Sequence, residues 1–203
     1  MNFTDLFNMN VGDVIAGIMA IAIAISVHEF GHAYSAHLLG DDTAKDYGRM
    51  SLNPLKHVDP IGAICLFLFR FGWAKPVPVD PNNFKNYRFG NFIVSIAGII
   101  CNILTAIICV IINKYVDFYA INLVSQWTTI YCIGLGAFNL LPVPPLDGWG
   151  IVSSFLPAKY YRNVANYERW GFFILMALLL TNIYQVILNP IYNVIFNIVL
   201  FFR

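Results

Sequence analysis

A chain of 203 residues with 59 % hydrophobic and only 11 % charged side chains does not suit a water-soluble fold, where roughly 25 % of residues carry charge. The mean hydropathy of +0.67 agrees, and the composition is that of a membrane protein with a lipid bilayer as its solvent. A formal net charge of +1, with no basic tract, argues against nucleic acid as a partner.

A spanning helix needs about 20 mainly apolar residues. The first candidate runs from about Val11 to Leu39, closed by Gly40 and the acidic pair Asp41 and Asp42. Asp5, with no Lys or Arg before this run, does not suit a cleavable signal peptide. Asp41 to Phe89 is of mixed character. Within it Ile61 to Phe71 is apolar but too short to span, and the prolines of Trp73 to Asp80 suit extended or edge-strand backbone. The region is expected to dip into the membrane under cover of protein, because irregular backbone cannot face lipid bare. The second span is expected from about Gly90 to Asn113. A third, from about Tyr119 to Leu141, is stopped by Pro142, Pro144 and Pro145. A fourth covers about Trp170 to Leu188, and Asn189-Pro190 separates it from a last apolar piece ending at Arg203, short for a crossing.

The fold class expected is therefore an all-α polytopic membrane protein. It has a three-helix catalytic core with a membrane-dipping loop or short β element, plus C-terminal helices. It forms a single domain over residues 1–203, with its core at about 11–148 and the C-terminal helices at about 165–203.

Orientation follows from the basic residues. Lys45, Arg49, Lys56, Arg70, Lys75, Lys85 and Arg88 lie between the first and second spans, and Lys159, Arg162 and Arg169 between the third and fourth. The opposite side carries only Lys114, so both basic loops are expected in the cytosol and the N-terminus outside a cell membrane crossed several times. Cys65, Cys101, Cys109 and Cys132 sit in apolar stretches without C-x-x-C spacing and read as small buried residues.

The central motif is His28-Glu29-Phe30-Gly31-His32, an H-E-x-x-H late in the first span. Residues four apart share a helix face, so both imidazoles can reach one ion, with Glu29 one step round as a general base. At 1.5 Å per residue His28 lies about 26 Å along a helix about 44 Å long, inside the membrane toward its cytosolic end. Helix–helix hydrogen bonds are the alternative for the two imidazoles. Yet an acid at the centre of a span costs about 2.5 to 3.5 kcal/mol, and a cluster of polar groups there needs a compensating partner such as a divalent cation. Hydrolytic zinc takes three protein ligands and leaves one position open. The candidate third ligand is Asp147, after the break at Pro142-Val143-Pro144-Pro145 and before Gly148, whose freedom lets the backbone turn. Taken alone, such a turn is more often an ordinary loop, and it is the pairing with a membrane H-E-x-x-H that reverses the balance.

These motifs resemble the site-2 protease family of intramembrane zinc metalloproteases. The resemblance rests on H-E-F-G-H, on the N-x-x-P-x-x-x-L-D-G pattern from Asn139 to Gly148, on Arg49 to Gly62 and on Gly72 to Asp80. It is similar to the minimal bacterial and archaeal branch, without PDZ or CBS domains, and covers about the first three quarters of the chain. The resemblance implies one Zn2+ ion held by His28, His32 and Asp147, with Glu29 as general base and Asn139 as a donor to the oxyanion or substrate backbone. Ala97-Gly98-Ile99-Ile100-Cys101-Asn102 resembles a family A-G-P-x-x-N pattern with Ile99 in place of the proline. Asn102 is accordingly read either as a substrate-binding residue or as a bridge between helices. The substrate implied is a transmembrane protein, locally unwound and held by strand addition near Val77 and Val79. His37 reads as interfacial, His57 as structural, and Trp73, Trp149 and Trp170 as interfacial anchors.

Two other functions compete. A metal transporter would need an alternating pathway, and no inverted repeat is visible. An inactive binding scaffold would have no use for Glu29.

Overall fold

The computed structural model describes residues 10–62, 73–181 and 183–203. Most of the Ile61–Phe71 piece expected to dip into the membrane, together with Cys65 and Asp5, lies outside the described residues. Helices α1 (Val11–Leu38), the single turn α2 (Thr43–Asp46), α3 (Tyr87–Tyr115), α4 (Tyr119–Asn139), α5 (Asp147–Ser154), α6 (Tyr161–Thr181) and α7 (Tyr184–Leu200) make up the fold. Short 3-10 turns stand at Pro54–Lys56, Pro81–Asn83 and Ala158–Tyr160. The described residues contain no β-strand beyond an isolated antiparallel bridge between Val58 and Ala74. The protein is an all-α membrane protein, as its composition and periodicity require.

Helix α1 starts where the Asn10 side chain accepts from the Asp13 amide at 2.8 Å, with Asp13 in the first turn complementing the helix dipole. It ends as Gly40 takes φ +101°, a conformation that side-chain-bearing residues rarely adopt. Its buried face is small: Ala16, Gly17, Ala20, Ala24, Gly31, Ala33 and Ala36. Small residues let neighbouring helices approach where lipid offers no hydrophobic drive. At Gly31 a Cβ would lie 2.8 Å from Cys101 Sγ and 2.9 Å from the Ala97 carbonyl oxygen, so α1 and α3 touch backbone to backbone there.

Ala24 of α1, Ala106 and Val110 of α3, Cys132, Ile133 and Ala137 of α4, and Ile195 and Val199 of α7 form the principal core. By length and composition α1 and α3 are each sufficient to cross a membrane, whereas α4 is not among the helices apolar enough to do so. The lower hydropathy of α4 comes from a polar middle turned inward. Ser125, Thr128 and Thr129 are buried, and the two threonine hydroxyls donate back to the Val124 and Ser125 carbonyls at 2.8 and 2.9 Å.

The C-terminal break differs from the expectation at Asn189-Pro190. The chain instead bends by 88° between α6 and α7, and Pro190 lies inside α7. Proline in the second turn of a helix forfeits one backbone bond, here to the Val186 carbonyl, and the packing of Ile195 and Val199 in the core holds the helix together.

Candidate metal centre

Three elements bring the site together. His28 and His32 lie one turn apart on the inward face of α1, their rings in edge contact with centroids 4.6 Å apart. Asp147 opens α5, which follows the Pro142–Pro145 break at the end of α4. Gly148 makes this possible through close approach, not through a turn. A Cβ there would lie 2.3 and 2.4 Å from the Leu140 and Leu141 carbonyl oxygens. Asn91 of α3 then ties α5 down, donating to the Gly150 carbonyl and the Ser154 hydroxyl, both at 2.9 Å.

The result is a triangle. His28 Nε2 lies 3.2 Å and His32 Nε2 3.3 Å from Asp147 Oδ2, and the two Nε2 atoms are 3.1 Å apart. These residues alone among the described residues group as possible metal ligands. Four ligands at 2.0–2.1 Å around tetrahedral zinc stand about 3.3 Å from one another, so the triangle has the edge of such a tetrahedron.

The protonation pattern supports the same fit. His32 Nδ1 donates to the Val94 carbonyl at 2.8 Å, which leaves its Nε2 carrying a lone pair. His28 Nδ1 meets the Asn102 amide at 3.2 Å, while Asn102 Oδ1 is buried without a hydrogen bond. Turning that amide by half a rotation lets Oδ1 accept from His28 Nδ1–H and gives its Nε2 a lone pair too. Asp147 Oδ2 is itself buried without a hydrogen-bond partner, and its nearest polar neighbours are the two imidazole Nε2 atoms. Three electron-pair donors facing one another at this distance repel unless a cation sits among them. The residues present fit a zinc ion.

Glu29 is 9 % exposed and beside the triangle, and its Oε2 accepts from the Val77 amide at 2.9 Å. The Trp73–Asp80 segment is non-helical, as its prolines require, and lies against the His28–His32 turn of α1. The Val77 N–H is engaged by Glu29, which leaves strand addition by substrate to the other backbone groups of Val77–Val79. Val79 packs beside Ala36, Phe84 and Val94. Asn102 is fully buried against His28, placing it as a support for that ring. Asn139 Nδ2 donates to its own helix at the Leu135 carbonyl, 3.0 Å away. His57 is buried, with Nε2 donating to the Ser51 carbonyl at 2.7 Å, and His37 pairs with Asp42 at the end of α1.

Sequence reasoning gave Gly98 no role beyond its place in the Ala97–Asn102 pattern, and passed over Val94 and Asn91. A Cβ at Gly98 would stand 2.6 Å from His32 Nε2 and 2.8 Å from His28 Nδ1, so this glycine is the cradle for both rings. A glycine inside an apolar helix costs about 0.5–1 kcal/mol relative to alanine, and that cost is the signal that marks it. Val94 acts through its backbone and leaves no trace in the sequence.

A membrane-embedded H-E-x-x-H helix completed by a distant carboxylate defines a class of metallohydrolase-like proteins. Among known proteins, the chain is 35 % identical over 186 residues to "Putative zinc metalloprotease YwhC" of Bacillus subtilis, covering 87 % of this chain and 85 % of that one. It is 29 % identical to "Putative zinc metalloprotease Rip2" of Mycolicibacterium smegmatis, covering 84 % and 69 %, and 27 % identical to the protein of that name in Mycobacterium tuberculosis, covering 81 % and 68 %. The chain belongs to the zinc metalloprotease family that these relatives define. No family model matches it, and no solved structure does.

Proposed function

We propose that the protein is an intramembrane zinc metalloprotease of the site-2 type, hydrolysing peptide bonds within or near the transmembrane helices of membrane-protein substrates. The observation that carries this reading is the convergence of the His28, His32 and Asp147 acceptor atoms beside Glu29, inside a helix apolar enough to cross a membrane. Its relatives bear the names of zinc metalloproteases.

His28, His32 and Asp147 would hold the ion. When bound, zinc supplies a Lewis acid that polarises a carbonyl and acidifies water. Glu29 accepts the proton of the attacking water and returns it to the leaving amine as the peptide bond breaks. Asn102 and the Val94 carbonyl hold the two imidazoles in the tautomer that points lone pairs inward. Asn139 serves as an oxyanion or substrate donor once its amide leaves Leu135, and the Val77–Val79 backbone receives the unwound substrate. In this reading the N-terminus lies outside the cell membrane and the site near the cytosolic face, which the distribution of basic residues between the loops supports.

Replacing Glu29 with Gln tests the proposal. Zinc content should stay at the wild-type level, while cleavage of a model transmembrane substrate falls by about a thousandfold or more. Cleavage at the wild-type rate would remove Glu29 from the mechanism.

A further inference from the structure

Arg49 is 8 % exposed, and its Nη2 donates to two successive carbonyls of the Trp73–Asp80 segment, Lys75 at 2.6 Å and Pro76 at 3.2 Å. Its Nε is buried without a partner. A buried guanidinium with an unsatisfied N–H is costly, and an apolar residue of similar volume would fill the space at lower cost. Its retention needs a reason beyond packing.

The Pro76 carbonyl and the Val77 N–H belong to one peptide unit. A cation on the oxygen of an amide polarises the group and strengthens its N–H as a donor. That N–H is the one that donates to Glu29 Oε2 at 2.9 Å. Arg49 and Glu29 are therefore joined through a single planar peptide, which transmits orientation because it cannot twist. The Ala74–Lys75 peptide, two units upstream, is pinned as well: the Lys75 N–H donates to the His57 carbonyl at 2.9 Å, and Ala74 bridges to Val58. With Oε2 occupied in this way, Oε1 makes no hydrogen bond among the described residues. The carboxylate is thus held through a donor on one oxygen.

We infer that Arg49 is a positioning residue for Glu29, acting through the Pro76–Val77 peptide to hold the general base in its working orientation. The inference rests on the protease reading for its kinetic consequence and on geometry alone for its structural one.

Two readouts test it on the full-length protein in detergent. The first is hydrogen exchange at the Val77 amide, which needs no activity. Exchange should quicken by about tenfold or more in Arg49→Gln and in Glu29→Ala. The double variant should exchange no faster than the faster single one, since both act on one peptide. The second is kinetic: Arg49→Gln should lower kcat about tenfold or more with KM within about twofold, at unchanged zinc content, and Arg49→Lys should recover part of the loss. Unchanged exchange, additive acceleration in the double variant, or a loss carried wholly by KM would overturn the inference. Zinc and helix content lost together in both the Gln and Lys variants would make Arg49 a structural strut and overturn it too. Should the wild type cleave nothing, the protease reading fails by itself, while the exchange arm still decides whether Arg49 fixes Val77 on Glu29.

Discussion

Gly98 shows how much of the site depends on an absent side chain. Both imidazoles rest on its Cα, and a methyl group there would stand 2.6 Å from one ring nitrogen and 2.8 Å from another. Neither ring can retreat freely, because His32 is tied to Val94 and His28 to Asn102. Gly98→Ala is therefore expected to weaken zinc binding by about 10- to 100-fold, the usual effect of disturbing groups that orient metal ligands. Chelator competition would measure it, with circular dichroism checking that the helices persist. Undiminished affinity would mean that α3 yields to the methyl group and that the rings are not held as tightly as their contacts imply.

At the scale of elements, the decisive contact is between the Trp73–Asp80 segment and the C-terminal end of α1. Asp41 anchors it. This carboxylate is fully buried and accepts from the Thr43 amide at 3.1 Å, the Asp80 amide at 2.8 Å, Asn83 Nδ2 at 2.7 Å and the Thr43 hydroxyl. Burial alone would raise its pKa, but the donors win and hold it below the ordinary carboxylate value. A depressed carboxylate contributes stability that is complete above the unfolded-state pKa and is lost as pH falls through the lower folded value. Hydrogen exchange at the Asp80 amide, corrected for intrinsic rates, should be pH-independent from neutrality down to about pH 4 and should accelerate below that. In Asp41→Asn the acid-side acceleration should be missing, and its persistence would assign the effect to another group. The sequence foretells that this segment is not helical, because Pro76 and Pro78 exclude a helix. It does not foretell that the Val77 amide reaches Glu29, a contact between residues 48 positions apart. Such a bond is made by folding and has no local signature. The break expected at Asn189-Pro190 is displaced for a related reason: proline ordinarily ends a helix, whereas the core contacts of Ile195 and Val199 carry α7 through it.

Across the whole molecule, the buried faces of α1, α3 and α4 bring two points 119 residues apart, His28 and Asp147, to within 3.2 Å. The H-E-x-x-H turn and the proline break were legible because each is a local interruption of an apolar helix, costly unless it does something. The all-α class followed from composition and span length. What stayed hidden were the parts that act through backbone or through missing atoms: the Val94 carbonyl, the Gly98 cradle and the close approach at Gly148. The fold positions these groups for an ion, and the account rests on that ion being held by side chains from α1 and α5 together.

The measurement that bears on this most directly is metal stoichiometry of the purified protein by elemental mass spectrometry, for wild type and for Asp147→Ala. About one zinc per chain is expected in the wild type, falling to roughly a tenth or less at equal protein and micromolar free zinc in the variant, because two imidazoles alone bind zinc poorly. Equal zinc in both proteins would show that Asp147 is not a ligand and would contradict the account.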